Sequence, residues 1–350
     1  KKIFFRTIIL ILFFHNYLYS QNFLISNVLT SSDRVRTVEI KRVSDGIIYY
    51  GDFHGVLNIN ESVTADSKDI FLAKYDNDFN LVWLQQIGGT GFDWAQDITI
   101  HGDFIYIVGR YKGTCTFNKG STTLTAVGSL YDSYLAKYKM NGEFVWAKPY
   151  VYNEADQQIM AISVDKNNEL VIGGYYTDSI TFNGYRFIES DGMFISKSDT
   201  SGTIIWAKSI ATNSTNSRIQ AISTFSDGYY YTGDILGSAE FDIGIKNSNN
   251  LNYSDAFLYK TDFEGNGLWL RKTYGYGEGN TGTGTITGDN YGNIYFTGYY
   301  TGLYIEVDED GDRKSLKTLT NNGVSDAFVI KYNKSGQLGW HNSYGQMGEE

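Results

Sequence analysis

One acidic segment has the spacing of a calcium-binding loop. Its carboxylates alternate along the chain at Glu306, Asp308, Asp310 and Asp312. Alternating acidic side chains beside a glycine can wrap oxygen ligands around Ca²⁺. The twelfth position counted from Glu306 is Lys317, where an EF-hand loop places a bidentate glutamate. A plain solvated acidic loop is therefore expected and no cofactor is assigned, with weak calcium binding as the alternative.

Side chains for nucleophilic or zinc-dependent catalysis are sparse. After residue 20 the sequence has three histidines, and it contains neither a G-x-S-x-G nor an H-E-x-x-H motif. Cys115 is the single cysteine, and we expect a small, partly buried thiol rather than a nucleophile. No catalytic residue is assigned. Because carboxylates are plentiful, an acid/base pair across a central opening stays an alternative.

Three tyrosines are the candidate ligand-binding residues: Tyr111, Tyr175 and Tyr299. Each follows closely a glycine that recurs in every copy of a sequence repeat. Aromatic faces beside Asn, Asp and Thr groups can stack on sugars or extended peptides. If the same end of every repeat lies on one rim, these rings share one surface. The alternative is that they pack adjacent repeats together.

The element that must position these residues is a long repeat. In five copies a tryptophan follows a lysine by nine residues, and we expect these tryptophans to be buried anchors: Trp83, Trp146, Trp206, Trp269 and Trp340. They are 63, 60, 63 and 71 residues apart. A turn glycine lies five residues after the lysine, except in the first copy, where Phe79 replaces it. An aspartate usually stands five residues before the lysine, which suggests ion pairs at strand ends. The period indicates one supersecondary unit stacked several times.

Each unit has the pattern of four β-strands. The dipeptide Asn141-Gly142 predicts a hairpin between the third and fourth strands of the second copy. The second strand is apolar on both faces, with Tyr106 and Val108 on one side and Ile107 on the other. Blades of a propeller need this pattern, because each sheet lies between two others. We predict an all-β propeller of four-stranded antiparallel blades, five in this chain, at about 33–92, 93–155, 156–216, 217–279 and 280–349. The chain stops at a repeat boundary, which favours a fragment of a larger propeller.

Several motifs resemble the bacterial β-propeller repeats often called SBBP. They include Asp69-Ile-Phe-Leu-Ala-Lys74, Leu81-Val-Trp83 and Gly292-Asn-Ile-Tyr-Phe-Thr-Gly298. The resemblance extends over about residues 33–350. It implies a propeller fold and an exported or surface location. It implies no general enzymatic activity.

The start of the chain has the pattern of a secretory signal. Lys1, Lys2 and Arg6 precede a short apolar run, and the predicted peptide ends at Ser20. Residues 21–32 form a lead-in segment. The apolar run is shorter than the ~20 residues of a membrane span, so no span is expected after signal removal. The net charge is −10 and no basic run follows the signal, which argues against nucleic acid as a partner.

The function expected first is that of a secreted or cell-surface, non-enzymatic binding or scaffold module. Its partners would be a surface protein or a polysaccharide. Two alternatives remain open. One is a carbohydrate-active enzyme with carboxylates in the propeller mouth, and the other is a structural spacer of a longer surface protein.

Overall fold

The computed structural model of the protein describes residues 30–59, 61–151, 156–182, 184–277, 279–309, 316–321 and 323–345. The predicted signal peptide and most of the lead-in segment lie outside these ranges. The described elements are β-strands, apart from one short 3-10 turn at Asn118–Gly120. Within the described ranges, no helix is both long and apolar enough to cross a membrane.

The strands form five consecutive antiparallel sheets, the blades. Blade 1 contains β1 (Thr30–Ser31), β2 (Val35–Val43), β3 (Gly46–Ile59), β4 (Glu61–Tyr75) and β5 (Leu81–Ile87). Blade 2 contains β6 (Trp94–His101), β7 (Phe104–Tyr111), β8 (Thr114–Phe117), β9 (Thr122–Thr125), β10 (Asp132–Lys139) and β11 (Phe144–Val151). In blade 2 the sheet order is β6-β7-β10-β11, which is a meander.

The other three blades repeat this order. Blade 3 contains β12 (Gln157–Val164), β13 (Leu170–Thr177), β14 (Ile180–Phe182), β15 (Tyr185–Phe187), β16 (Asp191–Ser198) and β17 (Ile204–Thr212). Blade 4 contains β18 (Arg218–Phe225), β19 (Gly228–Ile235), β20 (Ser238–Phe241), β21 (Gly244–Asn247), β22 (Asp255–Thr261) and β23 (Gly267–Tyr276). Blade 5 contains β24 (Thr281–Gly288), β25 (Asn293–Tyr300), β26 (Tyr304–Asp308), β27 (Leu316–Thr320), β28 (Asp326–Asn333) and β29 (Leu338–Tyr344).

The hydrophobic core lies between successive blades. In β7, Ile107 packs toward blade 1, whereas Tyr106 and Val108 pack toward blade 3. Two further clusters join blade 3 to blade 4 and blade 4 to blade 5. The first strands of successive blades also contact one another, which places them around a common axis. The structure is a β-propeller, and the predicted fold class is confirmed.

The long connections between the second and third strands are themselves hairpins. The hairpin β20–β21 of blade 4 pairs with β17, the last strand of blade 3, and β26–β27 of blade 5 pairs with β23 of blade 4. Each of these hairpins extends the preceding sheet. Backbone hydrogen bonds therefore reinforce the packing between successive blades.

The repeated tryptophans also connect successive blades. Each of the first four packs its indole on the turn glycine of the following blade. A Cβ at Gly265 would lie 2.8 Å from the Trp206 ring, and one at Gly336 would lie 2.9 Å from the Trp269 ring. Contacts this short exclude any side chain larger than hydrogen. The glycine of the repeat is thus required by the tryptophan of the blade before it, as well as by its left-handed turn conformation (φ +77° at Gly265).

The two ends of the series depart from this rule. The turn of blade 1 has Phe79 in place of the glycine, at φ 62°. At the other end, Trp340 is 40% exposed. Trp83, Trp146, Trp206 and Trp269 are partly buried and pack against the clusters between blades, whereas Trp340 is exposed, so the buried-anchor prediction is wrong for Trp340. Among the described residues, no hydrophobic cluster joins blade 5 to blade 1.

Candidate functional site

A bulge lies near the start of the first strand in every blade, where these strands stand around the common axis. In blade 2 the bulge falls between Ala95 and Asp97, and in blade 4 it falls between Ile219 and Ala221. It brings the carbonyl oxygen of the preceding residue onto the recurring glycine of the second strand. A Cβ at Gly109 would lie 2.2 Å from the Trp94 oxygen. Only glycine permits that approach.

The bulges place one cross-strand pair per blade at equivalent positions around the axis, and we call these five pairs the rim. They are Arg36/Asp52, Trp94/Arg110, Gln158/Tyr175, Arg218/Asp234 and Gly282/Tyr299. In every pair the second residue directly follows the recurring glycine. The repeat thus fixes the backbone of the rim while its side chains vary from blade to blade.

Between blades 1 and 2 the rim is an ion-paired cluster. Arg36 donates from Nε to the Asp52 carboxylate at 3.1 Å, and its Nη2 donates to the Ala95 carbonyl at 2.9 Å. Lys68 reaches the other oxygen of Asp52 at 2.9 Å, and both side chains are nearly fully buried. Burial lowers the pKa of Lys68 to about 8, and the Asp52 carboxylate opposes that shift. The Lys68 ammonium lies 2.8 Å from the centroid of the Trp94 ring.

Between blades 2 and 4 the cations alternate with aromatic rings. The Arg110 guanidinium lies 5.1 Å from the centroid of Trp94 and 4.5 Å from that of Tyr131. Further round, the Arg218 guanidinium lies 5.9 Å from the centroid of Tyr175. The Tyr175 hydroxyl donates to Gln158 at 3.1 Å, and burial raises the pKa of that hydroxyl. The rim is therefore a series of cations held against rings.

Several rim donors lack partners. The Nε1 atom of Trp94 and the Nε atoms of Arg110 and Arg218 are buried without a hydrogen-bond acceptor among the described residues. Buried polar atoms in folded proteins are nearly always hydrogen-bonded. Five side-chain nitrogens of the described chain are in this state, and three of them belong to the rim. The other two, on Trp206 and His341, lie elsewhere.

Carboxylates near the opening hold blades together. Asp97 accepts the backbone N–H of Ile162 in blade 3 at 2.8 Å, and burial raises its pKa to about 7. Asp234 accepts the N–H of Thr283 in blade 5 at 2.9 Å and the Gln220 amide at 3.0 Å. Burial raises the pKa of Asp234 to about 6. Both groups have the raised pKa of an acid catalyst, and both already serve as links between blades.

Two buried aspartates, Asp69 and Asp93, lie close together where blade 1 meets blade 2. Burial raises the pKa of Asp69 to about 6. Burial, together with the nearby Asp69, raises the pKa of Asp93 to about 8. Cys115 lies beside them, fully buried, and burial raises the pKa of its thiol well above the ordinary value. A thiol held neutral in this way is a poor nucleophile, which agrees with the interpretation of Cys115 as a buried thiol.

The three predicted ligand-binding tyrosines occupy different environments. Tyr111 is fully buried against Tyr134, so its placement on the rim was wrong. Its neighbour Arg110 occupies the rim position instead, because successive residues of a strand point to opposite faces. Tyr175 is a half-buried rim residue, and Tyr299 is 48% exposed on the rim of blade 5. Ligand binding by these two stays a prediction.

The predicted calcium segment is only partly described. Glu306 and Asp308 lie on β26, where Glu306 accepts the Tyr276 hydroxyl at 2.7 Å and Asp308 is buried. Asp310 and Asp312 lie outside the described residues. Within the described ranges, no group of three or more His, Cys, Asp or Glu side chains is arranged to hold a metal. Calcium binding therefore stays a prediction.

The repeated lysine and aspartate do not pair with each other, contrary to the sequence-based interpretation. They lie at opposite ends of the third strand. Lys74 pairs with Asp45 in the first turn of blade 1 at 2.7 Å, and Lys260 pairs with Asp227 in blade 4 at 2.6 Å. The repeated aspartate instead accepts backbone N–H groups, as Asp255 does from Asn249 in the connection and from Gly275 on β23, and Asp255 also pairs with Lys272 at 2.8 Å.

Comparisons with known proteins give distant similarities. No family model matches the sequence. The chain is 23% identical over 225 residues to an uncharacterized WD repeat-containing protein of Acanthamoeba polyphaga mimivirus. That alignment covers 55% of this chain and 16% of the viral protein, so the chain spans about a sixth of that relative.

Two solved structures resemble the model at low identity. One is a xylan β-1,4-xylosidase from Bacillus halodurans C-125, with a TM-score of 0.41 and 13% identity over 87% of this chain and 55% of that one. The other is an exo-1,5-α-L-arabinanase from a bovine ruminal metagenomic library, with a TM-score of 0.37 and 11% identity over 91% of this chain and 100% of that one. Similarity at this level assigns no activity to the chain.

Proposed function

We propose that the protein is an exported, non-enzymatic binding module that holds its ligand at the rim. The observation that carries this proposal is the set of unpartnered donors on Trp94, Arg110 and Arg218. A folded protein leaves few buried donors unpaired, so donors gathered at one opening favour a partner from outside the chain. The expected partner is a polysaccharide or a surface protein, because both offer oxygen acceptors.

Rigid presentation is the mechanism that this geometry supports. The rim side chains stand on strands whose backbone is fixed by the bulge and the recurring glycine. Arg36 is further held by Asp52 and by the carbonyl of Ala95 in the next blade. Side chains that are already ordered lose less conformational entropy on binding, which favours affinity. Ligand identity would then depend on the side chains of the rim, since the same backbone recurs in each blade.

A glycan array with the full chain tests the proposal. Wild type is expected to bind a subset of polysaccharides, and Arg110→Gln and Arg218→Gln should weaken that binding while the melting temperature stays nearly unchanged. Arg186→Gln is the matched control, because Arg186 is an exposed arginine of β15, away from the rim. Binding that is lost in the control as well, or retained in both rim variants, would place the binding surface elsewhere.

A carbohydrate-active enzyme is the second candidate. The observation in its favour is the raised pKa of Asp97, to about 7, and of Asp234, to about 6, near the same opening. A hydrolase of this kind would release sugar products from any bound polysaccharide, and Asp97→Asn or Asp234→Asn would stop the release without abolishing binding. Product analysis on the array hits distinguishes the two functions. A chain that binds nothing would instead support the spacer alternative.

Secretion and calcium binding belong to the same proposal. Export is supported by the signal-like start of the chain and by the resemblance to SBBP-type repeats. Calcium at Glu306–Asp312 would stabilise a loop of blade 5 and take no part in ligand contact.

A further inference from the structure

Four cations lie at or beside the rim, although the whole chain has a net charge of −10. They are Arg36, Arg110 and Arg218 on the rim and Lys68 beside it. Asp52 is shared between Arg36 and Lys68. Arg110 and Arg218 have ring contacts but no hydrogen bond or ion pair with another described residue. Two guanidiniums are therefore available to an outside anion.

Two carboxylates lie near these guanidiniums, and within the described ranges neither forms an ion pair with them, although Arg218 attracts Asp234 electrostatically. Asp234 is the cross-strand neighbour of Arg218, and its oxygens accept the Thr283 N–H and the Gln220 amide. Beyond the effect of burial, the charge of Asp156 raises the pKa of the Tyr175 hydroxyl, and the charges of Arg110 and Arg218 lower it. Tyr175 thus lies between the two unpaired guanidiniums. The local arrangement is cation, ring, cation.

From this juxtaposition we propose that the rim binds an acidic polysaccharide, with Arg110 and Arg218 receiving carboxylates of uronate-type sugars and Tyr175 stacking on a sugar ring between them. This inference rests on the proposed binding function and names its ligand class. A guanidinium offers two parallel N–H donors to a carboxylate, and such charge-assisted bonds are stronger than neutral ones. The apolar face of a sugar ring packs on an aromatic ring.

A glycan fits the rim better than an acidic peptide does. An extended peptide is usually bound by hydrogen bonds to a free strand edge. Here the available groups are side chains of separate blades, arranged around an arc, and the interleaved ring suits a sugar face. Neutral sugars would leave both guanidiniums without a charged partner, which costs affinity because desolvated donors then stay unpaired.

The test is calorimetric titration of the full chain with four probes: oligogalacturonate, neutral xylo-oligosaccharide, poly-glutamate and inorganic phosphate. Oligogalacturonate is expected to bind at least about tenfold more tightly than the neutral oligosaccharide, with affinity that falls as salt rises. Arg110→Gln and Arg218→Gln should each reduce that affinity about tenfold, as expected for a lost charge-assisted bond. Arg110→Lys should recover part of the loss, and Arg186→Gln should change nothing.

Each contrary outcome has a distinct meaning. If both oligosaccharides bind with equal affinity and the rim variants weaken both, the preference for an acidic ligand is wrong and the proposed function stands. Tighter binding of poly-glutamate would replace the glycan by an acidic protein, and phosphate binding as tight as that of the oligomer would remove the role of the sugar ring. Binding of no probe, by a chain shown to be folded by its melting curve, would overturn the inference, and an empty glycan array would then overturn the proposed function too.

Discussion

Replacing Trp269 and Trp340 by alanine compares a tryptophan that covers the turn glycine of the next blade with one that covers no described turn glycine. Trp269 covers the Gly336 turn, and its Nε1 donates to the Lys334 carbonyl at 3.2 Å. A tryptophan buries roughly 150–250 Å² when fully enclosed. Trp269 leaves a minor part of its area exposed, so about 150 Å² is buried, or about 4 kcal/mol at about 25 cal/mol per Å². The lost hydrogen bond adds about 1 kcal/mol. We expect Trp269→Ala to lower the free energy of unfolding by about 5 kcal/mol.

Trp340→Ala is the matched control, with a smaller expected loss of about 3 kcal/mol, from about 120 Å² of buried area and no lost hydrogen bond to a following turn within the described ranges. Its indole is 40% exposed, and within the described ranges no turn of a following blade lies against it. Urea unfolding followed by circular dichroism measures both variants, since fluorescence would change with the loss of the tryptophan itself. Blades can unfold separately, so the transition of each variant must first be shown to be single. Equal losses in the two variants would refute the idea that each tryptophan stabilises the next blade.

Three further predictions follow from the same geometry. Gly109→Ala should lower the free energy of unfolding by at least about 2 kcal/mol in urea, because the new Cβ would meet the Trp94 oxygen at 2.2 Å. Gly102→Asn, in an open left-handed turn, should cost less than about 0.5 kcal/mol, and equal costs would argue against the bulge as the cause. Burial raises the pKa of Asp93 to about 8, above its unfolded value of about 4, so the stability that neutral Asp93 provides below pH 4 is lost as the pH rises through 8. Asp93→Asn should therefore flatten the fall of the melting temperature between pH 5 and 8.5, and an unchanged slope would contradict this. Millimolar calcium should raise the melting temperature slightly, and the double variant Glu306→Gln with Asp308→Asn should abolish the rise. If calorimetric titration shows no heat of binding and the melting temperature does not change, the segment is a plain acidic one.

Most of the fold was predictable because the repeat samples one local pattern five times. The alternation of Tyr106, Ile107 and Val108 indicated a strand covered on both faces, and β7 has that environment. The hairpins between second and third strands could not be predicted in the same way. Sequences such as Ser238–Phe241 are only four residues long, and they become strands because the last strand of the preceding blade offers its free edge.

The candidate site was missed by one residue in blade 2. The rings after the recurring glycines pointed to the ends of the second strands, but in blade 2 the residue directly after the glycine is Arg110, whereas Tyr111 is buried in the core. The glycine itself was the usable signal, since it marks where the bulged first strand approaches. The cation–ring contacts join residues of different blades, as Lys68 does with Trp94, and no pattern along one strand reveals them.

Hydrogen–deuterium exchange of the full chain, with and without oligogalacturonate, tests the central claim most directly. If the rim is the binding surface, the ligand should slow exchange at the starts of β6 and β18 and at the ends of β7, β13 and β19. The outer strands, such as β11 and β23, should stay unchanged. Protection confined to the outer strands or to the hairpins between second and third strands, under conditions where calorimetry shows binding, would contradict the account.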